Sequence, residues 1–149
     1  LRLKPAEEFF NLAKDKGVAI IVRVPLASGL LTGKMNSNST FPENDHRNYN
    51  INGDAFDVGE TFSGVDFNIA LKVVDELKSI TPEGFSLSQL ALKWILMHDA
   101  VSVIIPGAKN SDQALSNISA SSLPDINNLM KQIENIYATY LKDDIHSRW

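Results

Sequence analysis

The 149-residue chain has the length of one ordinary domain, and with 44% hydrophobic and 21% charged residues it can bury a core. A formal net charge of -4, without any block of lysine and arginine, argues against a nucleic-acid partner. The absence of cysteine excludes disulfides and thiolate metal sites and is typical of the reducing cytosol. No apolar run approaches the length of a membrane span, so we expect a cytoplasmic protein without a membrane partner.

The chain is expected to begin with a helix and a strand. Pro5 suits the first turn of a helix and Gly17 suits the left-handed position after the last turn, which predicts a helix over residues 6–16. Residues 18–22 form an uninterrupted apolar run rich in β-branched side chains. Such a run predicts a strand buried on both faces, as in parallel sheets.

A long loop is expected to follow this strand. Residues 28–64 are rich in glycine, asparagine, serine and aspartate and show no clear periodicity. Loops of this length without regular structure are uncommon in compact domains and are usually functional or mobile.

The second half of the chain alternates helices with one further strand. The apolar pattern predicts a helix over residues 66–79, and Ser86 and Gln89 have the spacing of a capping box at the start of the next helix. A second β-branched run at residues 101–105 predicts another buried strand.

Two more helices are expected, one beginning near Ser111 and one opened by Pro124. The alternation of strands and helices predicts an α/β protein with parallel βαβ units. Because two strands cannot close a barrel, the chain is interpreted as a single partial domain, residues 1–149, of a larger fold.

The segment after the first strand, residues 23–34, has the features of a ligand-binding turn. Ligands of parallel α/β folds bind beyond the carboxyl ends of strands. Ala27, Ser28 and Gly29 are small enough for a ligand to approach the backbone, and Lys34 adds positive charge. The alternative is a tight turn that needs glycine, followed by a surface lysine.

The segment after the second strand leads into a helix N-terminus, a combination that favours anion binding. Lys109 adds the charge that a 2′-phosphate needs, and Gln113 and Asn117 share a helix face directed towards an adenosine. The alternative is that Asn110 or Ser111 only caps the helix and that Gln113 is solvated.

Together, these two segments resemble the aldo-keto reductase family. Residues 24–34 (VPLASGLLTGK) resemble its seventh-strand segment and residues 103–110 (VIIPGAKN) its eighth-strand segment, while residues 41–47 and 59–64 resemble the intervening loop of bacterial-type members. The resemblance covers the chain from the sixth barrel helix to the C-terminal helix. It implies the C-terminal portion of a (β/α)8 TIM barrel, with two parallel strands and surrounding helices.

The resemblance further implies an NADP-dependent oxidoreductase that reduces carbonyls or oxidises alcohols, with NADP(H) bound in an extended form. It implies a nicotinamide-facing position at Arg23, a 2′-phosphate site at Gly107 and Lys109, and an adenosine face at Gln113 and Asn117. Residues 28–64 would close over the cofactor as a lid. The expected pyrophosphate contacts are Pro25, Leu26, Ala27, Gly29 and Leu31, with Lys34 nearby.

The sequence departs from the family pattern in three respects. Many relatives carry an aromatic residue at the position of Arg23, although a planar guanidinium also stacks. Ser116 stands where many members have a glutamate that contacts the adenine. No residue maps onto the family's Asp, Tyr, Lys and His tetrad, and Tyr49, Tyr137 and Tyr140 are expected not to be catalytic. We therefore expect the isolated chain to be inactive, and a small carbonyl substrate to bind only the intact enzyme.

Two alternatives remain open at the level of sequence. The parent protein is either an enzyme or a regulatory module of the same fold, as potassium-channel β subunits are. The other alternative is that the chain itself is an inert structural fragment. The open edges of a two-stranded sheet predict self-association. No metal site is expected, because His46, His98 and His146 lack the spacing of metal ligands.

Overall fold

The two predicted strands pair with each other, and they form the only sheet within residues 1–148, which the computed structural model describes. Strand β1 (Ile20–Arg23) lies parallel to strand β2 (Val101–Ile105). Their register places Arg23 beside Ile105, with one irregularity between Ile20 and Ile21. Parallel pairing brings both carboxyl ends to one edge of the sheet, so the two predicted ligand-binding segments leave from the same side.

The helices follow the predicted alternation with the strands. None of those within residues 1–148 combines the length and hydropathy needed to span a bilayer. Short 3-10 turns connect several of them, at Ala27–Thr32, Val58–Glu60, Phe62–Gly64, Ala120–Ser122 and His146–Arg148. The α-helices are α1 (Lys4–Glu8), α2 (Phe10–Asp15), α3 (His46–Tyr49), α4 (Phe67–Ser79), α5 (Leu87–Leu96), α6 (Ser111–Ser119), α7 (Asn127–Tyr140) and α8 (Lys142–Ile145).

The first predicted helix and strand differ from those observed. The expected helix over residues 6–16 is divided into α1 and α2 at Phe9, which has φ -110° and ψ -35°. Gly17 has the predicted left-handed backbone, with φ +64°. The strand begins at Ile20 rather than residue 18, because the N–H of Val18 donates to the carbonyl of Ala13 at 2.8 Å and closes the preceding helix.

The boundaries of the later helices are partly as predicted. The capping box of α5 is confirmed, since the Ser86 hydroxyl accepts from the N–H of Gln89 and the Gln89 side chain accepts from the N–H of Ser86. The last long helix begins at Asn127 rather than at Pro124. The buried Ile126 has a non-helical backbone, with φ -110° and ψ 31°, and the helix starts only after it.

The prediction that both strands are buried on both faces is wrong. Ile20 is buried, but the next residue, Ile21, is 62% exposed, and Ile105 of β2 is 56% exposed. The described helices cover one face of the two-stranded sheet and leave the other open. Burial alternates along β1 (Ile20 to Arg23), and in β2 Val103 and Ile105 are exposed although their side chains are apolar enough for an interior.

The core lies among α4, α5 and α7 and includes residues from the long loop. Loop residues enter it because Leu30, Leu31 and Phe62 are buried in the same cluster as the helices. The helices contribute most of the other large buried side chains, among them Val73, Val74, Leu87, Leu90, Leu129, Ile133 and Tyr137.

The long loop, predicted to lack regular structure, contains α3 and three short 3-10 turns. Asn50 organises its middle from a fully buried position. The Asn50 side-chain oxygen accepts from the N–H groups of Ala55 and Phe56, at 3.0 and 2.8 Å, and its amide donates to the Thr61 hydroxyl at 3.2 Å. The Asn50 side chain therefore satisfies loop N–H groups that backbone carbonyls would satisfy in a helix or a sheet.

Replacing Asn50 with alanine is expected to lower the free energy of unfolding by about 3 kcal/mol, because several buried polar groups lose their partner at once. Urea denaturation followed by circular dichroism measures the change. The matched control is Asn48→Ala, which removes one exposed bond to the Phe41 carbonyl and is expected to cost less than about 1 kcal/mol. Equal losses in the two variants would contradict the role assigned to Asn50.

Candidate cofactor-binding site

The segment after β1 is a succession of tight turns with an unusual backbone. Val24, Ala27 and Ser28 have φ values of 51°, 48° and 56°, and Gly29 has 92°. The N–H of Ala27 donates to the Val24 carbonyl, and that of Gly29 donates to the Leu26 carbonyl. Left-handed backbone at non-glycine residues is costly and persists where surrounding contacts fix it, which occurs most often at binding sites.

Burial limits how the predicted pyrophosphate residues can act. Pro25, Ala27 and Leu31 are buried, and Leu31 belongs to the core. These three residues therefore expose little surface to solvent, although Pro25 and Leu31 line the cavity beside β1. Gly29 is half-buried and Lys34 is exposed, so these two positions are reachable from solvent.

The Ser28 hydroxyl joins this segment to the far part of the loop. It donates to the carbonyl of Glu60 at 3.3 Å and accepts from the N–H of Phe62 at 3.2 Å. Nε2 of His46 in α3 lies 3.4 Å from the same oxygen. Phe62 and Ser63 also have left-handed backbones, with φ 50° and 61°. Three separate stretches of chain thus meet at one strained junction.

Arg47, which no sequence motif marks as a site residue, places a fixed cation beside the turn at Gly29. Asp45 caps α3 and holds the Arg47 guanidinium through two bonds, Nε–Oδ1 at 2.9 Å and Nη2–Oδ2 at 2.6 Å. The remaining Nη1 lies 3.7 Å from the point that a Cβ on Gly29 would occupy. The only sequence feature that points to Arg47 is its spacing from Asp45. Asp-x-Arg is common at helix starts and does not indicate a ligand.

The guanidinium of Arg47 also lies over the Phe41 ring, 4.5 Å from its centroid, so its orientation is fixed from two sides. Its hydrogen bonds hold the pKa of Asp45 well below the usual range of a carboxyl group. A fixed cation beside a turn whose apex has no side chain is a feature of anion sites. The Met35 methyl group, 3.2 Å from the position that a Gly29 Cβ would occupy, covers part of this apex.

Arg23 ends β1 in an ion pair with Glu60. The Arg23 terminal nitrogens lie 2.6, 2.7 and 2.9 Å from the two Glu60 carboxylate oxygens. Arg2 donates to the neighbouring carbonyl of Gly59, and burial lowers the pKa of Arg2. These three charged side chains stand at a largely apolar cavity of about 420 Å³ beside β1.

The segment after β2 folds back on itself. Asn110 caps α6, its side chain accepting from the N–H of Gln113 at 2.9 Å. The Gln113 side chain accepts from the N–H of Lys109 at 2.8 Å, and the Asn117 amide donates to the carbonyl of Gly107 at 3.2 Å. Asn110 thus makes the cap considered as the alternative, but Gln113 supports the loop rather than being only solvated.

Lys109 is exposed, and no carboxylate within the described part of the chain lies in ion-pair range of it. Gln113 and Asn117 both reach the loop that carries it, which confirms that they share a face of α6. The helix therefore supports a short, solvent-facing loop with an available positive charge.

The tyrosines considered as possible acids are held by contacts between helices and loops. The Tyr137 hydroxyl lies 3.0 Å from Nδ1 of His146, and burial raises the pKa of Tyr137. Tyr140 donates to Glu76 of α4 at 3.3 Å, and Tyr49 packs edge-on against Phe56. These are contacts that tie elements of the fold together.

Comparison with known proteins identifies the family to which the chain belongs. The model of the Aldo/keto reductase family matches residues 1–138. The chain belongs to this family. It is 32% identical over 120 residues to the aldo-keto reductase str7 of Strobilurus tenacellus, and 31% identical over 134 residues to the aldo-keto reductase YhdN of Bacillus subtilis. It is also 33% identical over 124 residues to a probable voltage-gated potassium channel subunit beta of Arabidopsis thaliana.

These matches cover 80–84% of the chain but only 33–38% of the relatives, so the chain spans about a third of their length. The glycerol dehydrogenase AKR11B4 of Gluconobacter oxydans matches with a TM-score of 0.71 and 24% identity, over 92% of this chain and 39% of that one. The aldo-keto reductase AKR11C1 of Bacillus halodurans, in its holo form, gives 0.63 at 23% identity, over 91% and 39%. This aldo-keto reductase chain therefore has the predicted fold, part of a (β/α)8 barrel.

The ion pair between Arg47 of α3 and the capping residue Asp45 makes the stability of the chain depend on pH. Because Arg47 lowers the folded-state pKa of Asp45, the stabilisation from this pair is present above the unfolded-state pKa of about 4 and is lost as pH falls through the folded-state value. Asp45→Asn keeps a side-chain oxygen that can cap α3 but removes the charge, so it is expected to cost about 1 kcal/mol at neutral pH, the contribution of a partly buried ion pair.

Urea denaturation of both proteins between pH 7 and pH 2 measures this difference, which should shrink as the solution becomes more acidic. Asp54→Asn, in the same loop at an exposed position, is the control and should show no comparable trend. A difference for Asp45→Asn that stays constant with pH would show that the charge of this residue contributes nothing.

Proposed function

We propose that this chain is the cofactor-binding part of an NADP(H)-dependent aldo-keto reductase that reduces carbonyls or oxidises alcohols. The observation that carries the proposal is the junction at the carboxyl end of β1, where the Arg47 guanidinium stands beside the apex of the Gly29 turn. Bound NADPH supplies the hydride for the carbonyl carbon, and the protein binds and orients the reactants. Family membership supports oxidoreductase chemistry in the parent protein.

The first turn is proposed to bind the pyrophosphate. Backbone groups at the buried positions are proposed to contact it, and the cations Lys34 and Arg47 complete the charge. Arg23, at the end of β1, is proposed to face the nicotinamide. The residues assigned to the pyrophosphate are Pro25, Leu26, Ala27, Gly29 and Leu31, and the enclosing loop, residues 28–64, is proposed to cover the bound cofactor.

The second turn is proposed to select NADP over NAD. Lys109 is exposed and close to the N-terminus of α6, where a phosphate is favoured by both the side chain and the helix. Gly107, Gln113 and Asn117 hold the loop in shape and are proposed to contact the adenosine.

The substrate is proposed to be a small aldehyde, ketone or alcohol, bound only when the rest of a barrel is present. No residue of this chain resembles the family's catalytic tetrad, so we propose that the isolated chain lacks reductase activity. We also propose that the active parent protein is cytoplasmic. Potassium channel β subunits are among the relatives, at 33% identity, which supports a regulatory partner role as the alternative. Carbonyl-dependent oxidation of NADPH by the parent protein distinguishes the two.

Calorimetric titration of NADP+ and NAD+ into the chain tests the cofactor assignment. Lys109→Ala is expected to weaken NADP+ binding at least about tenfold and to leave NAD+ binding unchanged, because only NADP+ carries the phosphate that the lysine would pair with. Lys72→Ala, an exposed lysine of α4, is the control. Equal weakening for the two cofactors would contradict the phosphate role, and a folded chain that binds neither would contradict the proposed function.

The chain is also proposed to self-associate through its open sheet. Ile21, Val103 and Ile105 are exposed apolar side chains on strands whose outer edges lack a partner within residues 1–148. Light scattering after size exclusion is expected to show a dimer or a larger species, and Ile21→Lys is expected to shift it towards monomer. A wild-type chain that remains monomeric at high concentration would refute this.

A further inference from the structure

The Arg23–Glu60 pair has a geometry that leaves the guanidinium available to a ligand. Glu60 engages the two terminal nitrogens with both carboxylate oxygens, at 2.6–2.9 Å, and thus approaches the guanidinium along its edge. The Arg23 side chain nevertheless remains 58% exposed. A guanidinium held by its edge keeps its orientation while its faces remain able to stack.

Glu60 is itself held in place from both sides. Its carbonyl accepts from the Ser28 hydroxyl, and the preceding Gly59 donates to the Asp57 carboxylate and accepts from Arg2. An ordinary surface ion pair has to order two flexible side chains, which cancels most of its energy. Here the backbone that carries Glu60 is already fixed by the strained junction. Less conformational freedom is therefore lost when the Glu60 carboxylate pairs with Arg23 at the end of β1.

The local charges balance. Arg2 and Arg23 are two neighbouring cations, and the carboxylates of Glu60 and Asp57 act electrostatically on the Arg2 guanidinium. Removing the Glu60 charge would leave one net positive charge at the end of β1. Nicotinamide is sensitive to such a charge, because its ring is cationic when oxidised and neutral when reduced.

We propose that Glu60 is a positioning residue of the cofactor site, which orients Arg23 by its edge and neutralises it so that Arg23 can lie against the nicotinamide in both redox states. This rests on the proposed function, which places Arg23 at the nicotinamide. Glu60 acts through Arg23 and through its charge, and it needs no contact with the cofactor. The consequence is specific: loss of Glu60 penalises the oxidised cofactor more than the reduced one.

The test is the ratio of NADP+ to NADPH affinity, measured by calorimetry for the full chain and its variants. Glu60→Gln keeps the size of the side chain and removes its charge, and it is expected to weaken NADP+ about fivefold more than NADPH. Glu60→Asp retains the charge and is expected to restore most of the ratio. Glu134→Gln, the same change at an exposed site of α7, is the matched control and should leave the ratio unchanged.

A double variant separates charge from structural damage. Arg23→Met combined with Glu60→Gln removes both charges, and its affinity ratio is expected to return towards the wild-type value although both affinities fall. Thermal unfolding monitored by circular dichroism confirms that each variant is folded before titration.

Three results would overturn the proposal. Equal weakening of NADP+ and NADPH in Glu60→Gln would show that Glu60 has only a structural role, while the proposed function stands. Tighter binding of both forms would show that Glu60 blocks Arg23 instead of orienting it. A folded wild-type chain that binds neither form would refute the proposed function itself, and this inference with it.

Discussion

The parallel pairing of β1 with β2 is the constraint on which the candidate site depends. Its register places Arg23 beside Ile105, so the two chain segments that follow these residues start from adjacent points on one edge. An antiparallel pairing would send them to opposite edges. The two turns therefore begin close together in space although they are far apart along the sequence.

The loop between the strands gives the candidate site at this edge its fixed structure. Asn50 fixes its middle and Ser28 fastens it to the turn after β1, and these bonds hold several residues in left-handed backbone conformations. The strain is compensated by the surrounding hydrogen bonds and by the burial of Phe62. A loop held in this way carries side chains at fixed positions, as a binding site requires.

The charges of the site are of two kinds. Arg47 and Arg23 are each held by a carboxylate, Asp45 and Glu60, which fixes their direction and reduces their net charge. Lys109 has no such partner among the described residues and offers its full charge to solvent. An arginine held by a carboxylate has a fixed orientation, so it can position a ligand group accurately. An unpaired lysine acts as a point charge and can balance the charge of a phosphate.

The sequence by itself determined the local features: the capping box at Ser86, the strands at two β-branched runs, the family, and the turns that follow each strand. Caps and strand runs are read from neighbouring residues, so they need no tertiary information. Only the tertiary structure decided the open face of the sheet, the ordered loop and the pairing of Arg23 with Glu60, 37 residues later. Contacts at such separations depend on the path of the loop, which is set by buried side chains and by strained residues that local propensity disfavours.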